Sequence, residues 1–191
     1  RLVQHDGIDY ATLPLAKDDY DDFYLGYANA VIWPVFHFNL GAMDYQRRYS
    51  EGYARVNALF ADALAPLLEP DDTVWIHDYH LMPLARELRE RGVRNRIGFF
   101  LHIPFPDYDV LRAMPGHRRL LEDLCRFDLL GFQTENDRHA FEESASRAIG
   151  ALVFSPGRLR HRSRHFRTGV YPVGVAVDEL ADLSRRTMTT P

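Results

Sequence analysis

Cysteine is nearly absent: Cys125 is the only one in 191 residues. That excludes an internal disulfide and fits a reducing compartment, so a cytoplasmic location is expected. Long apolar runs are also missing, and the longest, such as IGFFL at 97–101, is far too short to cross a bilayer. The opening RLVQHDGIDY lacks the apolar core of a secretory signal, and Arg1 in place of an initiator Met reads as a trimmed or truncated start. Positive charge is not in excess: the formal net charge of −4 argues against nucleic acid as a partner. None of the 12 glycines stands in a Gly-x-Gly pair, which removes the dinucleotide fingerprint and the P-loop. There is no G-x-S-x-G elbow, and Cys125 has no evident partner base. What remains, 46% hydrophobic and 26% charged, is ordinary for a soluble globular protein of one domain.

One local exception to the charge balance is PGRLRHRSRHFR at 156–167, where Arg158, Arg160, Arg162 and Arg164 alternate. In one extended strand that spacing would point all four guanidiniums to one face. With no aromatic platform interleaved beyond Phe166, the stripe reads as the solvated edge of a hairpin rather than a nucleic-acid site.

Three short apolar runs stand out: TVWIH at 73–77, RIGFFLH at 96–102 and FDLLGFQ at 127–133. They are continuous rather than alternating, the pattern of strands covered on both faces. Helical patterns separate them. Leu81, Leu84, Ala85 and Leu88 share one face of a helix over 81–91, with Pro83 in its first turn and Gly92 just past its end. Thr134 to Asp137 has the form of a capping box, and Phe141, Ala145, Ala148 and Ile149 continue at helical spacing until Gly150. Upstream, Tyr49, Tyr53, Val56, Phe60, Leu64 and Leu67 mark another amphipathic helix, ended near Pro66 or Pro70. The alternation predicts an α/β fold, a Rossmann-like parallel sheet flanked by helices.

In such a sheet, ligands bind outside the carboxyl ends of the strands. The residues that follow each run are His77 to His80, then His102, then Gln133 to Glu135. Any one of them alone is explained by capping or by a turn. Polar groups at all three strand ends predict a cleft, with Asp78, His102 and Thr134 on one edge. Metal binding is the rival reading, with His77, Asp78 and His80 as ligands joined by His102 or His37. Neither H-E-x-x-H nor CxxC spacing supports it, and His77 should point to the opposite face from Asp78. No metal is therefore expected. A cleft of Asp, His, Tyr and Trp without a nucleophile suits polyhydroxylated ligands, because a carboxylate accepts paired hydrogen bonds from sugar hydroxyls.

Longer motifs sharpen this. YLGYANAVIWP at 24–34, EGYARVNALFADAL at 51–64, WIHDYHLMP at 75–83, RIGFFLHIPFP at 96–106 and DLLGFQTENDR at 128–138 resemble the trehalose-6-phosphate synthase family. YPVGV at 171–175 resembles the strand that closes the family's N-terminal half. The resemblance implies a two-lobed GT-B enzyme that transfers glucose from UDP-glucose to glucose 6-phosphate with retention, without a metal or any cofactor besides the donor substrate. Carried onto matching positions, Tyr24 and Trp33 are implied acceptor contacts, gripping phosphate and sugar through O–H and indole N–H. Asp78 is the implied carboxylate for acceptor hydroxyls, and His102 the implied contact to the donor hexose near the reaction centre. Asp78 and His102 are thus the expected catalytic positions.

The family's opening Gly-rich loop and its nucleotide-binding lobe have no counterpart here. Residues 1–178 are expected to form an incomplete N-terminal lobe and 179–191 a tail. The chain by itself is expected to be inactive, with an uncovered sheet edge that favours self-association into a homo-oligomer. The alternatives are a non-catalytic sugar-phosphate-binding fragment, or a relative using another acceptor or nucleotide sugar. No membrane partner is expected.

Overall fold

In a computed structural model, the structure describes residues 2–174 together with 176, 177, 180, 181, 184 and 185. Among the described residues, eight strands form a two-stranded and a six-stranded sheet. Strands β1 (Leu2–His5) and β2 (Ile8–Ala11) are an exposed antiparallel hairpin. Asp6 and Gly7 make its turn, both at positive φ (51° and 76°). Asp-Gly is a strong hairpin signal, so this element could have been found from the sequence.

The larger sheet has the order β3-β4-β5-β8-β7-β6. β3 (Thr73–His77), β4 (Arg96–Phe100) and β5 (Leu129–Phe132) come from the three apolar runs and pair in parallel, as expected. β8 (Arg164–Val170) adds a fourth parallel strand beside β5. β6 (Leu152–Ser155) and β7 (Arg158–His161) then extend the sheet antiparallel, so it is mixed rather than purely parallel. The last described strand is Arg164–Val170, and 171–174 lie outside it. Tyr171 donates one last backbone bond to Phe132 (2.9 Å), and Pro172 has no N–H with which to continue. Val175 lies outside the described residues, as does most of 179–191.

Helices cover one face of this sheet. α3 (Arg47–Leu64), α4 (Leu84–Glu90), α6 (His117–Leu124) and α7 (Glu135–Ile149) bury Val56, Leu88, Leu121 and Phe141 in one continuous core. α4 starts later than expected, because residues 78–84 form turns in which Leu81 N–H reaches Asp78 and Leu84 N–H reaches Leu81. Gly92 (φ 84°) follows α4 and Gly150 (φ 68°) closes α7, as their positions predicted. Coverage of both faces, expected from the continuous runs, does not hold among the described residues. Trp75 on β3 is 68% exposed, flanked on the same face by exposed Thr73 and His77. An apolar cleft of about 580 Å³ lies there, lined by Trp75, His77, Phe100, His102 and Tyr171. The Tyr171 ring folds over Gly169, where a Cβ would come within 2.7 Å of it.

The arginine stripe is broken by the hairpin turn. Arg162 (φ 54°) sits in that turn and donates to Glu122 at 3.0 Å. Arg164 opens β8 and pairs with Asp128, which also accepts from Arg89 (2.9 Å) and from Ile97 N–H (2.7 Å). Arg160 lies over the Phe154 ring. The four guanidiniums therefore do not share a face.

Upstream of the sheet, α1 (Lys17–Tyr20), a 12-residue π-helix (Asp21–Ile32) and α2 (Trp33–Phe36) run on as one helical stretch. The π-helix packs closely on α3. A Cβ on Gly26 would lie 2.4 Å from the Tyr49 ring, and one on Gly52 would lie 2.4 Å from the Asp22 side chain. Glycine at both contacts is what lets the two backbones approach.

Candidate functional site

The carboxyl ends of β3, β4 and β5 carry Asp78, His102 and Thr134, all on one edge of parallel strands. Asp78 leaves β3 in the left-handed region at φ 67°, a conformation costly for a non-glycine residue. It is held there on both sides. Its N–H continues the ladder to Phe100 (2.8 Å), and its Oδ1 accepts the Tyr79 N–H (3.0 Å). This reversal leaves the half-buried Asp78 carboxylate at the mouth of the edge.

The turn that follows is fixed from below by α3. Tyr53 donates its hydroxyl to the Tyr79 carbonyl (2.5 Å). Asn57 donates to the His80 carbonyl at 3.2 Å. Burial raises the Tyr53 phenol well above its ordinary value and pushes Tyr79 up to about 12, so both remain neutral donors.

The π-helix covers this turn from the other side. Tyr24, 37% exposed, stacks on the His80 ring with centroids 5.2 Å apart and planes 12° apart. Trp33, 43% exposed, meets the Tyr79 ring at 5.6 Å and packs on His37 at 3.9 Å. Between them in sequence, Asn29 accepts the Tyr79 hydroxyl (2.8 Å) and donates to the Tyr24 carbonyl (2.9 Å). Tyr24, Trp33 and Asp78 are thereby brought to one place.

His102 follows β4 and is exposed, with its Nε2 3.0 Å from His77 Nδ1. Two imidazoles at that distance share a single proton between the facing nitrogens. Burial, reinforced by His102, lowers the His77 pKa against the opposing pull of Asp78. Burial likewise lowers that of His80, again opposed by Asp78. Thr134 is a helix cap: its hydroxyl accepts the Asp137 N–H (3.1 Å) and donates to Asp137 Oδ2 (2.6 Å). The other Asp137 oxygen accepts the Phe105 N–H at 2.9 Å, so the capping box also ties down the loop after His102.

Among the described residues no group of three or more His, Cys, Asp or Glu side chains is placed to hold a metal ion. Cys125 is buried, and burial pushes its thiol up to about 12, which leaves no nucleophilic thiolate. No described helix is long and apolar enough to cross a membrane. The roles of Asn29, Tyr53 and Asn57 escape the sequence reading, because they arise only when α3 and the π-helix meet at the turn. His80 enters it only as a residue after the strand and as a metal ligand. The HDYH motif itself is the one signal pointing to His80.

This arrangement offers hydroxyl, indole N–H, imidazole and carboxylate groups around an open edge. The chain is 50% identical over 184 residues to the trehalose-6-phosphate synthase of Cronobacter sakazakii, spanning 96% of this chain and 39% of that protein's length. Among solved structures it superposes with TM-score 0.90 at 46% identity on an α,α-trehalose-phosphate synthase (UDP-forming) from Burkholderia xenovorans in complex with glucose-6-phosphate. That match covers 97% of this chain and 42% of the other. It also superposes with TM-score 0.92 at 48% identity on the E. coli structure bound with UDP-2-fluoro glucose, covering 100% of this chain and 42% of that one. Because the sequence profile of glycosyltransferase family 20 matches residues 4–190, nearly its whole length, the chain belongs to glycosyltransferase family 20.

Proposed function

We propose that this chain is the acceptor-binding lobe of a retaining glycosyltransferase. The whole protein transfers glucose from UDP-glucose to glucose 6-phosphate and forms trehalose 6-phosphate. The observation that carries this reading is the convergence of Tyr24, Trp33 and the Asp78 carboxylate at one sheet edge. Tyr24 O–H and the Trp33 indole N–H hold the sugar phosphate, Asp78 accepts from acceptor hydroxyls, and His102 meets the donor hexose. These are positioning and electrostatic roles, which suit a transfer in which the donor's own phosphate takes the acceptor proton. No cofactor besides the donor is needed, and the setting is cytoplasmic. Residues 1–178 act as the lobe and 179–191 as a tail. A relative seen with glucose-6-phosphate and another with UDP-2-fluoro glucose support the same pair of substrates.

The chain spans 39% of the length of its Cronobacter relative. On this reading it does not turn over by itself, since near-attack geometry requires both substrates to be held. The test is Asp78→Asn in the full-length gene product, with UDP release as the assay. The expected loss is at least tenfold in the acceptor-dependent rate, about 1.4 kcal/mol. An unchanged rate with glucose 6-phosphate removes Asp78 from the site.

A further inference from the structure

We infer that the π-helix Asp21–Ile32 is the device that sets the spacing of the acceptor grip, and that Asn29 is its positioning residue. The inference rests on the acceptor reading of Tyr24 and Trp33, and it adds a residue and a geometric cause.

The cause is helical pitch. Tyr24 and Trp33 are nine residues apart. In an α-helix of about 3.6 residues per turn, nine residues make two and a half turns, which places the two side chains on opposite faces. In a π-helix, with i→i+5 bonds and about 4.4 residues per turn, nine residues make close to two full turns, which places them on the same face. The burial pattern follows the wider pitch. Positions 24–25, 29–30 and 33 are exposed or half-exposed, while 22–23, 26–28 and 31–32 are buried. Both rings accordingly contact consecutive residues of the turn after β3, Tyr24 on His80 and Trp33 on Tyr79.

A π-helix is rare because its backbone packs less well than an α-helix, so something must favour it here. Asn29 sits one π-turn after Tyr24 and is bonded at both ends of its amide. Nδ2 donates to the Tyr24 carbonyl (2.9 Å), inside the helix, and Oδ1 accepts from the Tyr79 hydroxyl (2.8 Å), outside it. One side chain thus ties the wide turn to the segment that carries Asp78. Since Asn29 holds the carbonyl of one grip residue and the hydroxyl beside the other, its loss lets Tyr24 and Trp33 shift relative to Asp78. Neither hydrogen bond of Asn29 reaches His102, so the acceptor side should feel the change most.

The experiment measures initial rates in the full-length gene product, varying glucose 6-phosphate and UDP-glucose separately. Three single variants are compared, Asn29→Ala, Tyr79→Phe and Asp78→Asn, together with the double variant Asn29→Ala/Tyr79→Phe. Asn29→Ala should raise KM for glucose 6-phosphate about tenfold and leave KM for UDP-glucose within about twofold. Tyr79→Phe removes only the hydroxyl and keeps the ring, so it remains informative if Asn29→Ala folds poorly. It should give the same selective rise, and the double variant should be no worse than the more impaired single one, since both break one link. An unchanged KM for glucose 6-phosphate in both single variants, alongside a raised one in Asp78→Asn, overturns the inference and leaves the acceptor site standing. Equal rises in both KM values with a lowered melting temperature show a merely structural Asn29 and also overturn it. If Asp78→Asn itself leaves KM for glucose 6-phosphate unchanged, the acceptor reading falls and this inference falls with it.

Discussion

Replacing Tyr53 with Phe deletes one oxygen and no ring atom, which makes it a narrow probe of how the site is held. That oxygen joins α3 to the functional turn, donating to the Tyr79 carbonyl at 2.5 Å. Tyr53 is 3% exposed and Tyr79 5%, so water has no ready access to the group left behind. An orphaned buried backbone group costs about 1–3 kcal/mol, and here it is the Tyr79 carbonyl. Phe also relieves the burial of the phenol oxygen itself, so the expected net loss is about 1–2 kcal/mol. For a chain of this size each kcal/mol lowers the melting temperature by about 2–4 °C. Urea unfolding followed by far-UV circular dichroism gives the free energy, and thermal melting gives the second reading. The midpoint should fall with an unchanged slope against urea, because the surface exposed on unfolding is the same. A loss under about 0.5 kcal/mol would refute the claim that α3 holds the turn through this hydroxyl.

Gly26→Ala should destabilise by about 1–3 kcal/mol, since its Cβ would sit 2.4 Å from the Tyr49 ring, and urea unfolding checks it. Glu142→Ala should cost about 2–4 kcal/mol by the same measurement, because it orphans the Gly157 N–H (3.0 Å) and the buried Thr168 hydroxyl (2.6 Å), while Arg138 keeps Glu135 as a partner. His80 should make the fold acid-sensitive. Burial lowers its pKa below the ordinary 6.5, so the unfolded chain binds the proton more readily, and stability falls as pH drops through 6.5. Melting curves at pH 7.5 and pH 5 should therefore differ less in His80→Gln than in the parent, and an equal difference would contradict this.

The central strands and the helix caps were readable because their signals are local. A continuous apolar run bounded by charged residues, or Thr134 three residues before Asp137, needs no distant partner to be recognised. Tyr24 and Trp33 came from the longer motif. From periodicity alone the candidate site was readable only where a polar residue follows a strand within a residue or two, as with Asp78 and His102. The π-helix was not, because Phe23, Tyr27, Val31 and Val35 recur every four residues, a spacing that α and π pitch share. Tyr53 and Asn57 belong to the buried face of α3, and nothing local separates a core tyrosine from one whose hydroxyl pins a turn. The arginines at 158–164 do lie in a hairpin, and alternation would give them a shared face only if no turn interrupted the strand, whereas Arg162 is in that turn.

The most direct test of the acceptor site is isothermal titration of glucose 6-phosphate into the full-length gene product and its Asp78→Asn variant, without donor. The account predicts saturable binding at one site per chain, weakened at least about tenfold by the substitution. Equal affinity in the two proteins, or no binding to either, would contradict it.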